Sequence, residues 1–281
     1  MNDPFTIRVM TASDISLAGD WAAAEGWNPG LNDAACFSTV DPHGFHIGEL
    51  AGAAASTISV VNYDDGFSFL GFYIVRPELR GRGYGLRTWR SAITHAGTRM
   101  VGLDGVVAQQ DNYRKSGFVF AHRNIRYGGV PVRLPDVPTD LVDLASIPFA
   151  AIGAYDAMVF PAPRRVFLHA WIHTPGHIGR ALIRDGRLAA WGVIRPCRTG
   201  HKIGPLFADD RAAAEAVFAG LVAHAGGGQV FLDIVEPNRE GVALAEAYGL
   251  APAFETARMY TGAIRPIDRS RIFGITTFEL G

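Results

Sequence analysis

Residues 67–85 read FSFLGFYIVRPELRGRGYG, and this stretch decides the fold. Phe67–Val75 is almost entirely apolar, as expected of a strand covered on both faces. Pro77 ends the ladder, because it has no N–H to donate. Gly81, Gly83 and Gly85 then alternate with Arg80, Arg82 and Tyr84. Glycines at that spacing let the backbone turn tightly and point successive N–H groups at one place. From Tyr84 the pattern becomes helical, with Leu86, Trp89, Ile93 and Ala96 on one face. A strand, a glycine-rich turn and a helix N-terminus form an anion site, since the first helical N–H groups lack internal partners and the helix dipole favours negative charge. The arginines add fixed positive charge and bidentate phosphate recognition. The stretch is expected to hold a pyrophosphate.

The kind of pyrophosphate follows from what is missing and what is matched. No Gly-Lys-Ser/Thr triplet follows, as a nucleotide P-loop requires, and the glycines come after several strands rather than after the first strand of a βαβ unit. Arg80-x-x-Gly83-x-Gly85 after a hydrophobic strand resembles the coenzyme A loop of the GNAT acyltransferase superfamily, which runs Arg/Gln-x-x-Gly-x-Gly/Ala. The resemblance implies acetyl-coenzyme A as cosubstrate, with Arg80, Gly81, Arg82, Gly83, Tyr84 and Gly85 around its pyrophosphate. It also implies a backbone N–H near Ile74 or Val75 that polarises the thioester carbonyl. A second match is Tyr113-x-x-x-Gly117-Phe118. A tyrosine hydroxyl, with a pKa of about 10, can serve as general acid for a leaving thiolate while staying protonated at neutral pH. Tyr113 is the candidate for that role, with a packing tyrosine as the alternative. The asparagine that the family often carries eleven positions before this glycine is Val106 here, and Gln109, Gln110 or Asn112 are the available substitutes for its pantetheine contact.

Composition narrows the class. The 281 residues suffice for two domains with separate cores, and 48% of them are hydrophobic, so the chain is globular. A formal net charge of −1 gives no support to a nucleic-acid partner. The start, MNDPFTIRVM, lacks a signal-peptide core, and no apolar run reaches membrane-spanning length. Cys36 and Cys197 are far apart, without metal or redox spacing, and the nine histidines are scattered. A cytoplasmic monomer or homodimer without metal is expected, with a small-molecule amine as its partner and neither nucleic acid nor membrane.

The remainder of the chain is read around this centre. Phe5–Met10 alternates like a strand, and Thr11-Ala-Ser13-Asp14 offers N-caps for a helix. Glu25-Gly-Trp27-Asn28-Pro29-Gly30 breaks that helix. In the resembled fold this connection overlies the acceptor end of the cleft, making Glu25, Trp27 and Asn28 substrate candidates; the alternative is that Trp27 staples the helix end to the core. A short helix is expected around Asn32–Thr39, and Phe45–Leu50, Ala53–Tyr63 and Phe67–Val75 form an antiparallel meander. Met100–Leu103 is a further strand.

Gly128–Thr139 is rich in Gly and Pro and reads as a linker. Beyond it the order repeats, with helices at Arg165–Trp171, Ala212–Ala225 and Arg239–Tyr248 and strands at Arg180–Arg184, Leu188–Arg195 and Val230–Val235. Aligned on proline, Ile203-Gly-Pro205 stands for Val75-Arg-Pro77, but Asp209 and Asp210 replace the glycines and repel a pyrophosphate. Gly249-Leu250 stands for Gly117-Phe118, placing Ala245 at the tyrosine position and Asn238 at the asparagine position. The expectation is an α/β mixed-sheet fold of two tandem GNAT-like domains: 1–128 catalytic, 129–139 linker, 140–264 degenerate, and 265–281 a tail that pairs with an open sheet edge. The implied activity is direct acetyl transfer to an amine, with Glu25, Glu49 and Asp104 as candidate bases. Transfer of a longer acyl group, acylation of a protein amine, and a non-catalytic coenzyme-A-binding module are the open alternatives.

Overall fold

A computed structural model of the chain describes residues 4–132 and 136–281; residues 133–135 of the expected linker lie outside it, as do residues 1–3. The first half runs β1 (Phe5–Val9), α1 (Ala12–Ala24), α2 (Asp33–Val40), β2 (Phe45–Leu50), β3 (Ala53–Asn62), β4 (Phe67–Val75), α3 (Tyr84–Ala92), β5 (Met100–Val106), α4 (Gln110–Lys115) and β6 (Val119–Gly129). The second runs β7 (Leu141–Asp143), α5 (Phe149–Val159), α6 (Arg165–His173), β8 (Ile178–Arg184), β9 (Arg187–Pro196), β10 (His201–Ala208), α7 (Arg211–Val222), β11 (Val230–Val235), α8 (Arg239–Ala247), β12 (Ala251–Tyr260) and β13 (Ile272–Gly274). None of these helices is long and apolar enough to cross a membrane.

All thirteen strands belong to one sheet, ordered β1-β2-β3-β4-β5-β12-β6-β11-β10-β9-β8-β7, with β13 against β10. The last strands of the two halves are exchanged. β12 pairs with β5, Arg258 opposite Asp104, and β6 pairs with β11, Arg126 opposite Asp233. β12 and β6 then pair with each other at the centre. Residues 129–139 therefore part the chain but not the sheet. On one face, Phe37 of α2 stacks on Trp171 of α6 within a core that both halves share. On the other face, α3 and α4 cover the first half and α7 and α8 the second, each over its own apolar cluster.

Two strands that shape the centre, β6 and β12, had no assignment from sequence. One face of each is polar yet buried, with His122, Asn124, Arg126, Thr256 and Arg258; the other carries Tyr127, Ala257 and Met259, buried in the apolar clusters under the helices, while Val119 and Phe120 at the start of β6 face solvent. Asp104 on β5 and Asp233 on β11 make the two buried arginines stable there.

The tail also departs from expectation. Ile272–Gly274 pairs with β10 inside the sheet rather than at an open edge, and Ile275 to Gly281 are all buried. Tyr63 donates to the Leu280 carbonyl at 2.6 Å and Arg164 to that of Gly281 at 2.6 Å.

Candidate active site

The site begins with a fault in the sheet. β4 pairs in parallel with β5 only from Phe67–Leu70 against Met100–Leu103, and then leaves it. The cause is a bulge, in which Phe72 and Tyr73 both stand opposite Ile58 of β3. Phe72 takes a positive φ of 48° there. The Arg76 N–H bonds the Ala55 carbonyl on β3, so alternation turns the Val75 N–H to the other edge, towards the gap left by β5. Of the two residues expected to polarise a thioester, Val75 has the free direction.

Eight residues, 76–83, join β4 to α3. Gly81 and Gly83 have φ of 74° and 83°, with open space where a Cβ would stand, so backbone N–H groups are presented without side chains. Gly83 caps α3. Strand gap and loop open into one cleft of about 550 Å³.

This cleft gathers Ile74, Val75, Arg80, Gly81, Gly83, Gly85 and Tyr113, together with Glu25 and Trp27. Arg82, Tyr84, Asn112 and Asn28 do not line it. Tyr84 packs at a tilt against Phe5, with ring centroids 4.9 Å apart, and Asn112 donates to Gln109 at 2.7 Å. Asn28 exchanges two hydrogen bonds with the backbone of Thr199, each of 3.0 Å. Leu86, placed by periodicity on the buried face of α3, is half exposed at the cleft wall.

Tyr113 is held edge-on to Phe118 and stacked on Trp89, at 6.4 and 5.8 Å. Gly105 is the reason it fits, since a Cβ there would stand 2.3 Å from the Tyr113 ring. Burial pushes its hydroxyl pKa well above the ordinary value, with Tyr73 adding to the shift.

The candidate bases separate. Glu49 accepts from Arg8 at 2.7 Å, outside the cleft. Glu25 is paired with Arg80, which also donates to the Val75 carbonyl at 2.9 Å. Asp104 lies in the cleft wall but accepts two bonds from Arg258, of 2.9 and 2.7 Å, and one from Asn124 at 2.7 Å.

Sequence reasoning missed the wall supplied by the second half: Phe254, Thr256 and Phe278. They are separated from the loop by more than half the chain, and only the exchange of β12 and the inward tail bring them there. The loop after α1 is also clamped, by β6, which sits in the second half's part of the sheet, and by β9 and β10 of the second half itself. Arg126 donates to the Trp27 carbonyl at 2.6 Å and Lys202 to the same oxygen at 3.3 Å, while Leu31 N–H bonds Pro196 O at 3.0 Å.

The equivalent cleft of the second half is closed. A bulge sets Gly204 and Pro205 opposite Val193, as Phe72 and Tyr73 stand opposite Ile58. Pro205 thus lies within β10 and matches Tyr73, which corrects the alignment on Pro77. β10 again leaves its parallel neighbour after Ile203, but β13 fills the gap, and Ile275 N–H bonds the Asp233 carbonyl at 2.8 Å. Only Asp209 and Asp210 separate β10 from α7; Asp210 caps that helix at Ala213, and Asp209 pairs with Arg271. Phe118 N–H bonds Tyr113 O and Leu250 N–H bonds Ala245 O, at 3.1 and 3.0 Å, so Ala245 does stand where Tyr113 stands. Asn238 donates to Ser270 and Ile272 of the tail, each at 3.0 Å. Among the described residues, no group of acidic, histidine and cysteine side chains could hold a metal.

Comparison with known proteins agrees with this architecture. Residues 14–118 match the acetyltransferase (GNAT) family and residues 152–274 an acetyltransferase (GNAT) domain. Over 279 residues the chain is 31% identical to a holothin acyltransferase of Pseudoalteromonas sp. (strain SANK 73390), covering 99% of this chain and 95% of that protein. A putative acetyltransferase from Pyrococcus horikoshii has the same fold, with a TM-score of 0.83 at 21% identity over 99% of this chain and 96% of that one. A tandem GNAT protein from the clavulanic acid biosynthesis pathway superposes with a TM-score of 0.64 at 14% identity, covering 92% of this chain and 99% of that one. The chain is a member of the GNAT family, an N-acetyltransferase built from two GNAT domains in tandem.

Proposed function

We propose that the protein transfers an acetyl group from acetyl-coenzyme A to the amine of a small molecule, by direct attack within a ternary complex at the first-half cleft. The observation that carries this reading is the continuity of that cleft. The gap beside β4 and the 76–83 loop with its two left-handed glycines open into it, and Tyr113 lines it. The pyrophosphate sits on the loop N–H groups and the start of α3, where the helix dipole favours negative charge, while Arg80 stays on Glu25 and the Val75 carbonyl. The Val75 N–H receives the thioester oxygen and stabilises the charge that develops on it during attack.

The proton ledger fits the setting of Tyr113. The amine nitrogen forms a bond to the thioester carbon, the carbon–sulfur bond breaks, and the nitrogen proton ends on sulfur. A phenol held above its ordinary pKa does not give up its proton for long. Its part is to donate a hydrogen bond to the departing sulfur and to hand a proton on as it receives one from nitrogen.

Calorimetric titration with acetyl-coenzyme A should show one site per chain. Two sites would mean that the tail does not close the second cleft, and no binding would overturn the reading. Tyr113→Phe should keep that affinity and lose roughly 10²-fold or more in kcat. An unchanged kcat would remove the acid role.

A further inference from the structure

Resting on that reading, we propose that the acceptor is a weakly basic amine on a flat apolar ring, neutral at neutral pH, seated between Trp27, Phe254 and Phe278. Three aromatic residues, Trp27, Phe254 and Phe278, line the cleft together with Val75. Phe254 and Phe278 lie 5.9 Å apart, and the Arg126 guanidinium backs both rings, at 5.6 and 4.9 Å from their centroids. The same guanidinium fixes the Trp27 carbonyl, so one buried group braces all three walls. Flat faces braced in this way favour stacking on a ring.

Charge points the same way. The cleft lining carries two carboxylates, Glu25 and Asp104, and each is paired with an arginine. No histidine or lysine lines it among the described residues. An alkyl ammonium, with a pKa near 10, would enter charged, find both carboxylates occupied and need a base to free its lone pair. An aryl or heteroaryl amine enters with its lone pair already available. Its proton leaves only after the carbon–nitrogen bond has formed and passes to sulfur by way of Tyr113, so the step balances without a separate base. Thr256 supplies one more feature. Its hydroxyl is buried in this wall with no hydrogen-bond partner, free to bind a polar edge of the ring.

The test uses the full chain saturated with acetyl-coenzyme A, with 4-methoxyaniline and its methylene homologue 4-methoxybenzylamine as acceptors between pH 6 and 9. The aniline should show a kcat/KM at pH 7 at least about tenfold above the benzylamine. Its pH profile should be flat, while that of the benzylamine rises about tenfold per pH unit as its ammonium form titrates. Phe278→Ala should raise KM for the aniline by about tenfold with little change in kcat, and Phe278→Leu should recover part of it. Preference for the benzylamine at pH 7, or bound coenzyme with no transfer to the aniline, overturns this inference alone. Failure to bind acetyl-coenzyme A overturns the function itself.

Discussion

Replacing Arg126 by Leu tests how the exchanged strand β6, through its partner Asp233 on β11, holds the loop at Trp27. In the native protein its guanidinium donates to both oxygens of Asp233, at 2.6 and 2.8 Å, and to the Trp27 carbonyl at 2.6 Å. Both side chains of the ion pair are at most 3% exposed. Leucine leaves the Asp233 carboxylate buried, with Lys202 and Arg195 as its remaining cations. Breaking a buried pair from one side costs about 3–5 kcal/mol. Because Lys202 remains, the lower end applies, and the melting temperature should fall by roughly 6–12 °C. Removing both charges in Arg126→Leu/Asp233→Leu eliminates the orphan and should return to within about 1 kcal/mol of the native protein. Urea unfolding followed by tryptophan fluorescence measures both variants. At the site, acetyl-coenzyme A affinity should hold while acceptor KM rises, since the Trp27 carbonyl and both phenylalanine rings lose their brace. A single variant that costs less than about 1 kcal/mol, or a double variant no better than the single, would refute the reasoning.

Two further predictions probe the tail and the acid limit. A Cβ on Gly71 would stand 2.0 Å from the Glu279 carbonyl oxygen, backbone against backbone, so Gly71→Ala should push the tail off β4 and cost about 1–3 kcal/mol in chemical denaturation; a neutral result would mean that the tail is not packed there. Arg8 beside Asp14 holds that carboxyl down at about 2, so its contribution is present above the usual carboxylate range near pH 3.8 and is lost as pH falls through about 2. The pair is partly exposed, so Asp14→Asn should cost only about 1 kcal/mol at pH 7, and the difference should vanish in melts taken at the acid end of that window.

The parts of the fold legible in the sequence are those where local chemistry and tertiary role agree. Phe67–Val75 is a strand with the bounds read from its apolar run, and the turn at Asp185-Gly186 has positive φ at both residues, as a tight hairpin demands. Leu188–Arg195 and Val230–Val235 were likewise plain from alternation and β-branched content. What was hidden depended on partners far away. Arg126 and Arg258 had no assignment from sequence, because a charge inside a sheet is stable only with a buried counter-ion, and those counter-ions, Asp233 and Asp104, lie far along the chain. With an arginine on a face that is buried, β6 and β12 do not read as central strands of a sheet. Of the cleft, the loop glycines, Arg80 and Tyr113 follow from spacing within one stretch. Phe254 and Phe278 have no such signal, because their place depends on which strand lies beside β5.

The exchange of β6 and β12 explains why a half without its own open cleft persists in the architecture. The two buried ion pairs are copies of one arrangement: an aspartate on β5 or β11 facing an arginine on the strand that the other half contributes. Each half therefore completes the other's sheet, and neither has its own closing strand to pair with. The copies have diverged in what the arrangement faces. Asp104 with Arg258 stands in the wall of the open cleft, and Thr256, two positions from that arginine, lines it as well. Asp233 with Arg126 stands behind the loop at Trp27, its own strand's gap filled by the tail that Asn238 binds. The tail that closes one cleft ends at the other, with Phe278 in its wall.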